Sequence, residues 1–329
     1  MKADRKTFHF LMDAWAFSTE VDAAEQAMRL LERMEELSRK NNASQQQASI
    51  EPDVRSYTKV INAISRSASM TAGTDAEHIL EKMIFLSATQ PAVRPNTFTY
   101  TAVIEAHANS GAPGSAQRAA ELCQVTKQKF LQEGDVNVRP TARAFNAAIM
   151  AYGKSGEEGA AAKAEALFQQ LEELYNQGIE EAKPKAYNYN ALISVWANCG
   201  EEGSASKAEK VLERMEAMYR AGDEEVKPTT VSFNAVIDAY AKSGETDAAE
   251  KAEEILRHME DLYVSGENVD ARPNVRSFNS VINAWAKSGH ENAATKAQDT
   301  LDFMEHLYEK GNAEVRPDVH SFCTVINGK

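Results

Sequence analysis

Amide and hydroxyl side chains recur at one fixed place in this 329-residue chain. Each follows an aromatic residue and lies six residues after a proline. Asparagine inside a helix is less favourable than alanine by roughly 0.7 kcal/mol, so a row of asparagines must serve a purpose beyond helix formation. Two alternatives are open: hydrogen bonds between neighbouring helices, or a row of groups that read the edges of nucleobases. The row comprises Thr58, Thr101, Asn146, Asn190, Asn234 and Asn279, with His9 and Cys323 at its ends.

A second polar position lies directly after each proline. Asp, Asn and Thr are preferred helix caps, so capping is the simplest interpretation. Lys185 does not fit it, because an ammonium group has no acceptor. We therefore expect capping and base selection to coexist here. The residues are Asn96, Thr141, Lys185, Thr229, Asn274 and Asp318, preceded by Asp53.

A third position, near the end of the same segment, is basic in four repeats. A cation there favours the negative C-terminal end of a helix. It also suits contact with a phosphate group. The residues are Arg66, Lys154, Lys242 and Lys287, with Asn109 and Asn198 in two other repeats.

These positions belong to a repeat, because the prolines are spaced by 43 to 45 residues. The run from Phe233 to Tyr240 places apolar residues at i, i+3, i+4 and i+7, and the run from Ala252 to Met259 does so again. Each repeat is thus predicted to be a helical hairpin, with helix A followed by helix B. A regular array of hairpins predicts an all-α, right-handed superhelical solenoid in one continuous domain. The predicted repeats are 5–53, 54–96, 97–141, 142–185, 186–229, 230–274 and 275–318, with a partial repeat at 319–329.

The repeats also set expectations for packing and for the connecting segments. Trp15, Trp196 and Trp285 share one register of helix A and are predicted to pack in the core. The polar run at residues 39–49 is predicted to be a flexible loop. Because the last repeat is incomplete, we expect the chain to be a fragment of a longer protein.

Composition narrows the class of protein. The hydrophobic content of 43% is ordinary, and no apolar run is long enough for a membrane helix. The three cysteines occupy unrelated places and are expected to be reduced. No His, Cys or acidic cluster recurs at catalytic or metal-ligand spacing, which predicts no enzyme activity, no metal and no cofactor. The net charge is −13, but the helix A segments carry +8 and the rest of the chain carries −21.

The repeated phrase resembles the pentatricopeptide repeat family over essentially the whole chain. Its parts are a basic residue, Pro and a polar residue, then an aromatic residue with Asn, and finally Lys-Ser-Gly. In helix B the resemblance lies in Ala208, Leu212 and Met215, and again in Ala252, Leu256 and Met259. The present repeats, at about 44 residues, are longer than the usual unit of that family.

The resemblance implies sequence-specific binding of single-stranded RNA, one base per repeat. It pairs each residue after the aromatic with the last residue of the same repeat. Thr58 with Asn96 implies A, Asn234 with Asn274 implies C over U, and Asn279 with Asp318 implies U. Asn190 with Thr229 implies a pyrimidine. No base is assigned to His9 with Asp53, Thr101 with Thr141 or Asn146 with Lys185.

The resemblance further implies base stacking and phosphate contacts. The residues that would sandwich bases are Phe98, Tyr187 and Val231, with Arg55, Arg143 and Arg276 in other repeats. It implies phosphate contacts for Arg66, Lys154, Lys242 and Lys287. Most members of the family act on RNA processing, stability or translation in mitochondria or chloroplasts, which places the targeting segment outside this sequence. We expect a monomer away from membranes. The alternative function is a helical scaffold that binds proteins and not RNA.

Overall fold

A computed structural model describes residues 4–43 and 50–327 of the chain. Within these residues it contains fifteen α-helices and no β-strand. Successive helices pack pairwise as hairpins, so the prediction of an all-α helical repeat fold is confirmed. In the described part of the chain, no helix is long and apolar enough to cross a membrane.

The chain divides into two compact units, Met1–Lys183 and Pro184–Lys329. The first holds four hairpins, and the second holds three hairpins followed by one further helix A. One continuous domain over 1–329 stays a prediction. The A helices are α1 Arg5–Phe17, α3 Val54–Ser67, α5 Thr97–Ser110, α7 Ala142–Ser155, α9 Ala186–Asn198, α11 Thr230–Ser243, α13 Val275–Lys287 and α15 Val319–Asn327. The B helices are α2 Ala23–Ala43, α4 Ala72–Ser87, α6 Ser115–Leu131, α8 Ala160–Asn176, α10 Ser204–Arg220, α12 Ala248–Ser265 and α14 Ala293–Glu309.

The sequence determines where each helix A begins and ends. In α13, the side chain of Asn274 accepts a hydrogen bond from the backbone N–H of Ser277, which caps the first turn. In α11, the helix ends at Gly244, whose φ of 68° lies in the left-handed region that glycine adopts without strain. These signals fix the helix ends and therefore the register of the polar positions.

The core of each hairpin is built around aromatic residues. The aromatic ahead of the first polar position is buried in every complete repeat, as with Phe233 and Phe278. Trp196 and Trp285 are buried as predicted, whereas Trp15 is half-buried. Trp285 Nε1 donates to Glu253 on helix B at 3.1 Å. Part of the acidic charge of helix B thus satisfies buried aromatic polar groups.

The connectors between repeats carry an apolar anchor that the sequence interpretation missed. Five short 3-10 turns precede the prolines, and the residue two places before the proline is buried. Val93, Val226 and Val315, for example, are exposed by at most 1%. The acidic connectors are therefore pinned to the core by one small apolar side chain each. The five turns are Pro91–Val93, Glu180–Ala182, Glu224–Val226, Val269–Ala271 and Ala313–Val315.

The polar run at residues 39–49 differs in part from the prediction of a loop. Residues 39–43 continue helix α2, which ends at Ala43. Their Arg-Lys-Asn-Asn-Ala sequence has no Gly or Pro to stop a helix that is already formed. Residues 44–49 lie outside the described residues.

Candidate nucleic-acid interface

Consecutive A helices pack against each other within each unit, which aligns their polar positions in a row. We call the residue after the aromatic the reading residue and the residue after the next proline the cap residue. The third residue of the next helix A is the bridging residue. A junction is the place within a unit where these three positions meet.

Hydrogen bonds join all three residues of the junction between α11 and α13. Asn234 Oδ1 accepts from the hydroxyl of Ser277 at 2.6 Å, and Asn234 Nδ2 donates to Asn274 Oδ1 at 3.3 Å. Asn274 Oδ1 also accepts from the backbone N–H of Ser277 at 3.2 Å. Asn234 is 5% exposed and Ser277 is fully buried, so these bonds satisfy groups that water reaches poorly.

The junction between α13 and α15 repeats the arrangement with a carboxylate. Asn279 Oδ1 accepts from the hydroxyl of Ser321 at 2.7 Å, and Asn279 Nδ2 donates to Asp318 Oδ1 at 3.3 Å. The backbone N–H of Ser321 donates to Asp318 at 2.9 Å and holds the pKa of that carboxyl below its usual value. The carboxylate is therefore ionised at neutral pH.

The first unit contains two related junctions with different reading residues. Thr58 Oγ1 donates to the backbone carbonyl of Val54 at 2.8 Å and lies 3.0 Å from Thr99 Oγ1. At the preceding junction, His9 Nε2 lies 2.9 Å from the hydroxyl of Ser56 and 3.3 Å from Asp53. Burial lowers the pKa of His9, which keeps its ring neutral at pH 7.

Two junctions lack the bridging contact. Between α5 and α7, the bridging position is Ala144, and Thr101 Oγ1 donates to the backbone carbonyl of Thr97 at 2.8 Å. Between α9 and α11, Asn190 Oδ1 is buried and has no hydrogen-bond partner among the described residues, although the bridging position is Ser232. The cap residue there is Thr229, which has no amide or carboxylate.

Of the remaining pair, Asn146 is half-buried and Lys185 is exposed. Lys185 Nζ pairs with Glu225 at 2.8 Å. The backbone N–H of Lys185 donates to the Asn188 side chain at 3.0 Å, so Asn188 satisfies a backbone donor at the start of α9.

The residues expected to stack on bases are exposed beside the junctions. Phe98 is 76% exposed, and Tyr187 and Val231 are exposed as well. Arg143 and Arg276 are also exposed, but each forms an ion pair with a carboxylate of the preceding helix A, respectively Glu105 and Asp238. These pairs lower the positive charge of the face and hold the guanidinium planes in place.

An open groove of about 450 Å³ lies at the α13–α15 junction. Its lining includes Asn279 and Asp318 together with Arg276 and His320, which occupy the stacking position of successive repeats. The groove thus joins a polar pair to two flat, exposed side chains, an arrangement suited to holding a base.

The four cations expected to contact phosphate are all exposed near the ends of their helices. The Arg66 guanidinium lies 4.3 Å from the ring centre of Phe17. Lys242 Nζ donates to Asn198 Oδ1, the corresponding residue of the preceding repeat, at 3.0 Å. Lys242 and Asn198 are therefore neighbours in space as well as in register.

The sequence interpretation overlooked the bridging residue. A hydroxyl stands directly before the aromatic in most repeats, which was the available signal. Its significance depends on the packing of successive A helices, which brings it against the reading residue of the preceding repeat. The bridging hydroxyls are Ser56, Thr99, Ser232, Ser277 and Ser321, and all are fully buried.

Comparison with known proteins supports the family. A family model described as the pentacotripeptide-repeat region of PRORP matches residues 167–313. A search of curated proteins found no match to this chain. The same proline spacing extends through the remaining repeats. Residues 167–313 thus match the pentatricopeptide repeat family in its form with long repeats, in agreement with the resemblance of the repeated phrase.

Proposed function

We propose that this protein binds single-stranded RNA in a sequence-specific manner along its helix A face, with one base per repeat. Pentatricopeptide repeats generally bind RNA. The observation that carries the proposal is that the junctions leave different polar atoms free. At each junction, some polar atoms of the reading and cap residues form hydrogen bonds within the protein. The polar atoms that stay free are donors at one junction and acceptors at another.

These remaining atoms match the expected bases. At the α11–α13 junction, Asn274 Nδ2 makes no hydrogen bond within the described part of the protein, and Asn234 retains one free N–H. Two donors complement the O2 and N3 acceptors of cytosine. At the α13–α15 junction, Asn279 keeps one free N–H. Asp318 Oδ2 accepts no hydrogen bond from Ser321 or Asn279 and is left as an acceptor. A donor beside an acceptor complements the O4 and N3–H of uracil.

The Thr58 and Asn96 pair is consistent with the expectation of adenine. The Thr58 hydroxyl donates its proton to the backbone carbonyl of Val54, which leaves its oxygen as an acceptor. Asn96 Oδ1 accepts from the backbone N–H of Thr99 at 3.1 Å, so its Nδ2 is left as a donor. An acceptor with a donor complements the N6–H and N1 of adenine.

The rest of the nucleotide would be held by stacking and by charge. Exposed side chains at the stacking position flank each base, as Arg276 and His320 do at the groove. Arg66, Lys154, Lys242 and Lys287 would contact the phosphates. With so few cations, binding would depend on salt only modestly and its selectivity would come from the junctions.

Selection from a random single-stranded RNA pool tests the proposal. We expect a C and a U at neighbouring positions, read by the α11–α13 and α13–α15 junctions. A pool of single-stranded DNA is the control, and enrichment there should be weaker. Recovery of bound RNA without any preferred sequence would contradict sequence-specific reading.

The second candidate is a protein-binding scaffold without RNA binding. The net charge of −13 and the ion pairs of Arg143 and Arg276 favour it. It predicts no RNA retention in the same selection and capture of a defined protein partner.

Among RNA-binding roles, we favour RNA processing, stability or translation in an organelle, with the repeats themselves acting without catalysis.

A further inference from the structure

We propose that Ser277 and Ser321 are specificity-determining residues, because each fixes which end of the preceding reading amide faces the base. The inference rests on the proposed function. It assigns a role to residues that precede the aromatic and that would not touch the RNA themselves. They are positioning residues, acting through Asn234 and Asn279.

An asparagine amide has two orientations of nearly equal shape, related by a half-turn of its terminal torsion. One orientation presents an N–H to a ligand, and the other presents the carbonyl. A reading amide that adopts both would accept bases of opposite polarity. Selectivity therefore requires an interaction that distinguishes the oxygen from the nitrogen.

The Ser277 hydroxyl supplies this interaction. Its oxygen lies 2.6 Å from Asn234 Oδ1 and accepts the backbone N–H of Asn274 at 3.1 Å. Asn274 Oδ1 lies farther away, at 3.2 Å, and already accepts the backbone N–H of Ser277. The single hydroxyl proton is therefore best placed on Asn234 Oδ1, which turns the carbonyl inward.

The second contact of the amide agrees with this orientation but is longer. Asn234 Nδ2 donates to Asn274 Oδ1 at 3.3 Å. A flipped amide would place its oxygen against that same acceptor, which is unfavourable. The Ser321 junction has the same order of distances, 2.7 Å to the hydroxyl and 3.3 Å to the cap residue. The hydroxyl is the closer of the two constraints at both junctions.

The α9–α11 junction provides a control within the same chain. The Ser232 hydroxyl accepts the backbone N–H of Thr229 at 3.1 Å, the same distance as in the Ser277 junction. However, Asn190 Oδ1 has no hydrogen-bond partner in the part of the chain that the structure describes. Loss of the Ser232 hydroxyl thus removes the same capping contact without releasing a reading amide.

The test uses the whole chain and a random pool of single-stranded RNA, with wild type, S277A, S277T and S232A. Asn234→Ala identifies the base position that Asn234 reads. We expect S277A to reduce the ratio of C to U at this position roughly three- to tenfold, from the loss of one hydrogen bond. S277T should retain the ratio, since Thr99 occupies the bridging position elsewhere. S232A should leave this position unchanged.

Thermal unfolding shows that each variant is folded when its base preferences are measured. S277A should lose more stability than S232A, because it also removes the hydrogen bond to Asn234. A change confined to the base that Asn234 reads separates orientation from a general loss of stability. If S277A does not fold, S321A tests the same claim at the neighbouring U. The inference is wrong if S277A and S232A have the same base preferences, or if S277T behaves like S277A. If wild type selects no RNA sequence, the proposed function fails and this inference with it. If wild type selects a motif that S277A leaves intact, this inference alone fails.

Discussion

The α13–α15 and α5–α7 junctions have the same backbone plan but different polar contacts. At the first, Ser321 bonds both Asn279 and Asp318. At the second, Ala144 has no hydroxyl, yet Thr141 still accepts its backbone N–H at 3.2 Å and caps α7. Helix A therefore forms without a bridging hydroxyl. The comparison shows that the cap serves the fold, whereas the bridging hydroxyl is available to orient the reading residue.

The largest effect is expected from Asn279→Thr at the bridged junction. Thr58 and Thr101 each donate their hydroxyl to a backbone carbonyl at 2.8 Å, which leaves an oxygen that accepts. Beside the Asp318 carboxylate, such an oxygen would complement the N1–H and N2–H donors of guanine. Selection from random RNA should show U replaced by G at one position.

The matched control for that change is Asn283→Thr, one turn further along the same groove. It should leave U in place, because Asn283 is not part of the junction. An unchanged U in Asn279→Thr would mean that the reading residue does not determine the base.

A smaller effect, uniform over all RNA sequences, is expected when Lys154, Lys242 and Lys287 are changed together to Ala. Loss of three phosphate contacts should reduce the slope of log affinity against log salt by about 2. Affinity should fall roughly tenfold at low salt, whichever bases occupy the bridged and unbridged junctions. Filter binding across a salt series measures both quantities.

Three lysines of the B helices, Lys163, Lys210 and Lys251, provide the control for that variant. Their replacement removes the same charge from another face and should leave the salt slope nearly unchanged. If the first variant weakens only some RNA sequences, the cations contact bases and not phosphates.

The smallest effect is expected from Ala144→Ser, which would convert the unbridged junction. Five repeats have a fully buried serine or threonine at this position, so a hydroxyl has room. A new hydrogen bond to Thr101 should raise the free energy of unfolding by about 1 kcal/mol.

Urea denaturation measures the free energy of unfolding, with Ala148→Ser on the same helix as the control. Ala148 is fully buried, and no other repeat has a hydroxyl at the corresponding position. A serine there should therefore destabilise the protein. Equal destabilisation by both serines would show that the junction cannot accept the hydroxyl.

The sequence was sufficient to predict the helices because their local signals agree. Asn274 caps α13, Gly244 ends α11, and the apolar spacing from Phe233 to Tyr240 marks one buried face. The connectors were harder to predict because Val226 is a single apolar residue in an acidic segment. Its burial depends on the packing around it and not on any local period.

The polar row was predictable in register but not in its contacts. The two alternatives for the asparagines prove compatible, since Asn234 bonds to the next helix and still has a free N–H. The role of Ser277 depends on a contact 43 residues away in sequence, which no local pattern reveals. The same applies to the pairing of Arg276 with Asp238.

Exchange of the two cap residues, Asn274→Asp with Asp318→Asn in one chain, tests most directly whether junction polarity determines the base. Both residues retain the side-chain oxygen that caps their helices, so the fold should be preserved. Selection from random RNA should then yield the C and the U in exchanged positions, with the rest of the motif unchanged. The same motif order in the exchanged chain and in wild type would contradict the account.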